Sequence, residues 1–208
     1  MAVVIFDMDG TLSERDHIFE VYSSLGLAEE AGEIYRKYRD EEISHRNLWM
    51  QGTELLKGLP RETLKAIASR VPLREGSLEC IDELQSRGHD VIVLTDGYAE
   101  LIQDKVDCPV FGKSIEYRDG CVEKLLDDWI TESLMLCDGK SRIVNCFAER
   151  YETVVVDDHP ERIRHKCNCE VIDPRDFKDL HSVADYIAGN YRPVAVKNDE
   201  YVRRCASD

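Results

Sequence analysis

Ala2-Val3-Val4-Ile5-Phe6-Asp7-Met8-Asp9-Gly10-Thr11 is the stretch that decides the fold. Its apolar residues follow one another without polar alternation and stop at an acid. A strand wetted on one face alternates, whereas one buried on both faces reads as a continuous apolar run. Residues two apart in extended chain face the same side, so Asp7 and Asp9 point together beyond the strand's end. Gly10 then permits a tight turn directly behind them.

The same design recurs along the chain. Val91-Ile92-Val93-Leu94 runs into Thr95-Asp96-Gly97, and Thr153-Val154-Val155-Val156 runs into Asp157-Asp158. Cys108-Pro109-Val110-Phe111 and Glu170-Val171-Ile172 read as two shorter strands. Helical spacings fall between them: Leu78, Ile81 and Leu84 before Gly88, then Ile143, Val144 and Phe147 from about Lys140, then Val183, Tyr186 and Ile187. Strands alternating with helices predict an α/β fold with a parallel sheet covered on both faces. Ligands in such folds bind outside the carboxyl ends of the strands.

Residues 13–72 break the rhythm. They are charged and helix-patterned, with Ile18, Val21, Tyr22 and Leu25 in one stripe and Leu55, Leu56, Leu59, Leu64 and Ile67 in others. They predict a small all-helical insertion after the first strand, which divides the chain into 1–12 with 73–208 and an inserted 13–72. Ile115 and Tyr117, then Arg118-Asp119-Gly120, then Val122 predict a β-hairpin. Val194-Ala195-Val196 in the tail is a candidate edge strand.

Composition narrows the function. With 208 residues, 43% apolar and 33% charged, the chain is long enough for one domain with a modest insertion. No apolar run approaches a membrane span, and the first residues lack a basic leader, so the expectation is a cytoplasmic protein with no membrane association, monomeric or homodimeric. The net charge of −15 argues against nucleic acid as partner. Tyr35-Arg36-Lys37-Tyr38-Arg39 is read as a solvated helix face rather than an anion site. An acidic protein that handles phosphate needs local positive charge in its site. Of the eight cysteines, most are expected to be buried small hydrophobes, and Cys167-Asn168-Cys169 lacks the second pair a zinc site would need.

Four positions carry chemistry. Two close carboxylates, Asp7 and Asp9, offer one group to attack, one to handle protons, and hard oxygen ligands for a cation. The hydroxyl of Thr95 and the backbone N–H groups at Asp96 and Gly97 suit a phosphate oxygen. Lys140 opens a helix, where a lysine works against the macrodipole unless an anion is bound. Asp157 and Asp158 repel each other unless a cation or donors compensate. All four fall at strand ends or a helix start on the same expected edge.

In that order these motifs resemble the haloacid dehalogenase-like hydrolase superfamily, and within it the phosphoserine phosphatase branch, to which Leu55-Leu56-Lys57-Gly58-Leu59-Pro60 and Leu73-Arg74-Glu75-Gly76-Ser77 are also similar. The resemblance implies a three-layer Rossmann-like parallel-sheet core with residues 13–72 as a helical cap. It implies Asp7 as nucleophile and Asp9 as general acid/base whose backbone carbonyl also binds magnesium. It implies Thr95 and Lys140 as phosphoryl ligands, and Asp158 as direct metal ligand with Asp157 outside it, or the reverse. Glu161 is a candidate outer acid, and His159 is read as structural. The branch also carries a flap acid for the substrate's amino group, which falls on Asp16, and a cap arginine, whose place Gly52 takes, with Arg46 the nearest basic residue. Asp16, Tyr22, Arg39, Arg46 and Trp49 are the expected specificity positions. The implied activity is a Mg2+-dependent phosphatase acting on a small phosphorylated metabolite through an aspartyl-phosphate. A phosphomutase or phosphotransferase would share the same core residues, and a non-catalytic phospholigand sensor is the alternative from another class.

Overall fold

The computed structural model describes residues 2–192; the tail with Val194–Val196 and Cys205 lies outside the described residues. Five parallel strands form the core sheet: β1 (Ala2–Phe6), β2 (Asp90–Tyr98), β3 (Val110–Lys113), β6 (Glu152–Val156) and β7 (Glu170–Ile172), in the order β3-β2-β1-β6-β7. A hairpin of β4 (Ile115–Arg118) and β5 (Cys121–Leu125) stands apart. Its turn residues Asp119 and Gly120 both have positive φ, 51° and 77°, the primed turn that matches strand twist.

The continuous apolar runs are explained by the layers. Val4, Phe6, Val91, Val93, Val154 and Val156 face one side of the sheet, under α5 (Ser77–Ser86) and α9 (Leu180–Asn190). Val3, Ile5, Ile92, Leu94 and Val155 face the other, under α7 (Trp129–Leu134) and α8 (Gly139–Ala148). Each such side chain, fully buried, stabilises by about 1.5–3 kcal/mol relative to exposure. The α/β class and both covered faces are as the sequence implies.

Residues between β1 and α5 form four helices and no strand: α1 (His17–Ser24), α2 (Ala28–Arg39), α3 (His45–Leu55) and α4 (Arg61–Ala68). They meet the hairpin edge to edge, where Gly58 N donates to Val122 O at 2.9 Å and Arg61 N to Gly120 O at 2.9 Å. The Tyr35–Arg39 run lies on α2, a helix with no buried residue. No helix among the described residues is long and apolar enough to cross a membrane.

Three expectations are corrected. Leu78 faces solvent, 43% exposed, and Cys80 takes the inward place beside Ile81 and Leu84. The second strand does not stop at Leu94; it runs through Thr95-Asp96-Gly97 to Tyr98, with a register shift against β3, before the short α6 (Ala99–Ile102). Only Cys80 and Cys108 of the described cysteines are buried; Cys121, Cys146, Cys167 and Cys169 are half-buried and Cys137 is exposed. Those five lie on the hairpin, helix faces and loops near the rim rather than under the layers.

Candidate active site

The sheet order places the change of direction at β1: β2 and β3 lie to one side of it, β6 and β7 to the other. A crevice at such a switch point is where open α/β sheets bind ligands. Asp7 leaves β1 and Asp157-Asp158 leave β6, in parallel register with Phe6 beside Val156. One oxygen from each of Asp7, Asp157 and Asp158 lies within 4.8 Å of the others.

Lys140 faces these acids from the first turn of α8. Its Nζ lies 2.7 Å from Asp7 Oδ1 and 2.7 Å from Asp157 Oδ2. Gly139 allows this placement, because a Cβ there would stand 2.0 Å from the Ser133 carbonyl oxygen. Burial works to lower the Lys140 pKa, but Asp7, then Asp157, then Asp96 overcome it and hold the ammonium protonated well above its ordinary range. Burial pushes the Asp7 carboxyl up to about 8; Lys140 pulls it back, and Asp157 and Asp9 add to the rise. Three acids share one ammonium, and a bound cation would favour the ionised form of Asp7. That crowding of acids, and a donor set made only of hard carboxylate oxygens, fit a hard divalent cation.

Asp158 is fixed by the first loop. Thr11 Oγ1 donates to its Oδ1 at 3.3 Å and accepts from its backbone N–H at 3.0 Å. Gly10, with φ +86°, brings the loop backbone against the same carboxylate: a Cβ there would sit 2.5 Å from Asp158 Oδ2. His159 N donates to Asp157 Oδ1 at 2.8 Å, and the His159 ring lies between two acids, its Nδ1 3.1 Å from Glu161 and its Nε2 3.6 Å from Asp158 Oδ2.

Asp9 is not in the acid cluster. Its Oδ1 accepts from the backbone N–H of His17 at 3.0 Å and lies 2.6 Å from His17 Nδ1. Its Oδ2 accepts from Thr95 Oγ1 at 3.3 Å, and Thr95 Oγ1 accepts from Gly97 N at 2.9 Å. Asp9, His17, Thr95, Gly97 and Tyr98 line a narrow cleft with Ile18, Leu101 and Ile102.

The structure thus brings Asp7, Lys140, Asp157 and Asp158 together and sets Asp9 and Thr95 beside them. The expected specificity positions are more scattered. Asp16 caps α1, accepting from Phe19 N at 2.8 Å. Arg46 is turned away to the surface, bidentate on Glu132 at 2.6 and 3.1 Å. The hydroxyl of Tyr22 fills the place beside Gly52, 2.6 Å from where a Cβ would be.

Two residues escape sequence reasoning. His17 is 3% exposed, and its Nε2 has no hydrogen-bond partner. Leaving a buried nitrogen unmatched costs about 1–3 kcal/mol. Lys113, at the end of β3, is fully buried. Its Nζ donates to the Asp96 carbonyl at 2.7 Å and sits 3.7 Å from the centroid of the Trp49 ring. Burial lowers its pKa to about 8, against the pull of Asp96. The Asp96 carboxylate is half exposed, 3.7 Å from Lys113. A charged residue closing an apolar strand was the signal for Lys113; nothing local marks His17. A second acidic group, Glu83, His181 and Asp185, already encloses Arg87, which bonds Asp185 at 2.9 Å.

Known proteins match this chain at the level of family and fold. The sequence model described as haloacid dehalogenase-like hydrolase matches residues 4–160. A phosphoserine phosphatase of Archaeoglobus fulgidus is 30% identical over 122 residues, 57% of this chain and 36% of that protein. One of Halobacterium salinarum is 31% identical over 98 residues, 47% of this chain and 46% of its own length. The chain therefore matches less than half the length of either relative. Among solved structures, a phospho-aspartyl intermediate analogue of phosphoserine phosphatase superposes with a TM-score of 0.63 at 23% identity, covering 88% of this chain and 97% of that one. A family hydrolase from Salmonella enterica serovar Typhi gives 0.67 at 18% identity, covering 83% and 67%.

Proposed function

The chain belongs to the haloacid dehalogenase-like hydrolases, and we propose that it is a magnesium-dependent phosphatase that hydrolyses a small phosphomonoester through an aspartyl-phosphate on Asp7. The observation that carries this reading is the meeting of Asp7, Asp157 and Asp158 around one volume, with Lys140 Nζ 2.7 Å from two of them.

In this reading Asp7, the Asp9 carbonyl and Asp158 would hold Mg2+, with Asp157 outside, and the ion would supply the charge that lets a carboxylate approach a phosphate dianion. Lys140, Thr95 and the N–H at Asp96 hold the phosphoryl oxygens, while the Gly97 N–H, bonded to Thr95 Oγ1, sets that hydroxyl's position. A carboxylate oxygen of Asp7 attacks phosphorus in line with the ester oxygen. The P–O ester bond breaks, and Asp9 gives its proton to the departing alkoxide. Asp9 then takes a proton from water as that water attacks the aspartyl-phosphate, which returns Asp7 and releases inorganic phosphate. Residues 13–72 act as the cap that excludes bulk water during both steps.

Phosphoserine is the first substrate to try, with Asp16 receiving the amino group. Gly52 and Arg46 offer its carboxylate nothing comparable to the branch's cap arginine, because Tyr22 fills the first place and Glu132 engages the second. Other small phosphomonoesters therefore belong in the same screen. Phosphate release is measured across that panel with and without Mg2+, for wild type and Asp7→Asn. At least one substrate should release phosphate, and chelator or substitution should abolish it; undiminished release by Asp7→Asn refutes the assignment.

A further inference from the structure

We infer that His17 is the positioning residue for Asp9: it fixes the proton-handling carboxylate from the first residue of the cap's first helix. The inference rests on the phosphatase reading above and concerns how its acid step is set up.

The two oxygens of Asp9 are held differently. Oδ2 has one long contact, from Thr95 Oγ1 at 3.3 Å. Oδ1 has two short ones from a single residue, the His17 backbone N–H at 3.0 Å and the His17 ring at 2.6 Å. The ring contact runs through Nδ1, which donates where Asp9 is a carboxylate. Nε2 is buried without a partner. The ring's one hydrogen bond is therefore to Asp9, at the expense of an unmatched nitrogen in a buried place. A histidine that served only packing would be better replaced by an apolar side chain of similar size.

Position adds the second half of the argument. His17 opens α1, which packs on α2 and α4 and on the strand that carries Thr95. Asp9 belongs to the loop after β1, in the core. The contact crosses from cap to core at the cleft that Asp9, Thr95 and Tyr98 line. The orientation of Asp9 thereby depends on the cap helix being seated, so proton transfer is tied to the arrangement that keeps water out.

The test exploits the leaving group. An alkyl phosphate needs a proton on its departing oxygen, whereas p-nitrophenyl phosphate expels a stabilised phenolate without one. Values of kcat/KM are compared at saturating Mg2+, because that ratio ends with departure of the leaving group and excludes later hydrolysis of the aspartyl-phosphate. His17→Leu should lower kcat/KM for the alkyl phosphate by about 10- to 100-fold, within the range of general acid catalysis, and change that for p-nitrophenyl phosphate far less. His17→Asn, whose amide nitrogen takes the place of Nδ1, should recover most of the loss. Should thermal unfolding show His17→Leu to be misfolded, His17→Gln replaces it, since its amide lies one bond further out. Equal losses on both substrates, or none on the alkyl phosphate, overturn the inference while leaving the phosphatase reading intact. A wild-type protein inactive on both substrates overturns both.

Discussion

Thr11 and Asp158, 147 positions apart, hold each other by two hydrogen bonds through one hydroxyl: it donates to the carboxylate at 3.3 Å and accepts from the backbone N–H at 3.0 Å. The loop after β1 thereby sets the acid after β6. Partners that orient a metal ligand are typically worth about 10- to 100-fold in metal affinity. Thr11→Val keeps the shape and removes both bonds. It should raise the Mg2+ dissociation constant by about that factor, read by calorimetry on the apo protein. An unchanged constant would show that Asp158 needs no such support.

Gly10 meets the same carboxylate from the other side. Gly10→Ala forces an L side chain into φ +86° and drives its Cβ to 2.5 Å from Asp158 Oδ2. The backbone strain alone costs about 1–2 kcal/mol. The variant should unfold at lower temperature and lose phosphatase activity more severely than its stability loss explains, since the displaced group is a site acid. Thermal melts and activity on the same preparation check both halves.

Lys113 gives a pH signature. Burial lowers its pKa from 10.5 to about 8 in the folded chain. Between about pH 8 and 10.5 the unfolded chain therefore binds more protons than the folded one, and stability from this group rises with pH. Below pH 8 the burial penalty is fully present. The difference in melting temperature, wild type minus Lys113→Met, should become more positive from pH 7.5 to pH 10. A flat difference would contradict the assignment.

Arg46→Ala tests the surface of α3. Its pair with Glu132 is exposed, with side chains 48% and 39% accessible. Such pairs contribute about 0–1 kcal/mol. The substitution should leave stability nearly unchanged and, because the guanidinium is engaged on Glu132, leave unchanged the KM for whichever phosphomonoester the screen identifies. A large rise in KM would return Arg46 to substrate binding.

The core was legible because burial on both faces writes itself as unbroken apolar runs, and Val3–Phe6, Val91–Leu94 and Thr153–Val156 all obey it. The acids were legible because each stands at the end of such a run. Asp9's surroundings were not. Its contact with His17 depends on how α1 is seated, and a helix's first residue carries no local sign of what lies opposite. Lys113 was missed for a related reason: a lysine ordinarily reads as surface, and only the Asp96 carbonyl and Trp49, brought from β2 and α3, make its burial tolerable. The cysteines erred in the opposite sense. Cysteine is a small hydrophobe by habit, but where a residue sits between layer and rim is decided by packing, as half-buried Cys146 and Cys169 illustrate.

The most direct measurement asks where the phosphoryl group goes. Wild-type protein with Mg2+ is mixed with 32P-labelled substrate, quenched in acid within a turnover, and digested for peptide mapping. The account predicts label on the peptide bearing Asp7, released by hydroxylamine as an acyl phosphate is and absent from Asp7→Asn. Phosphate release without label on that peptide, or label that persists in Asp7→Asn, would contradict it.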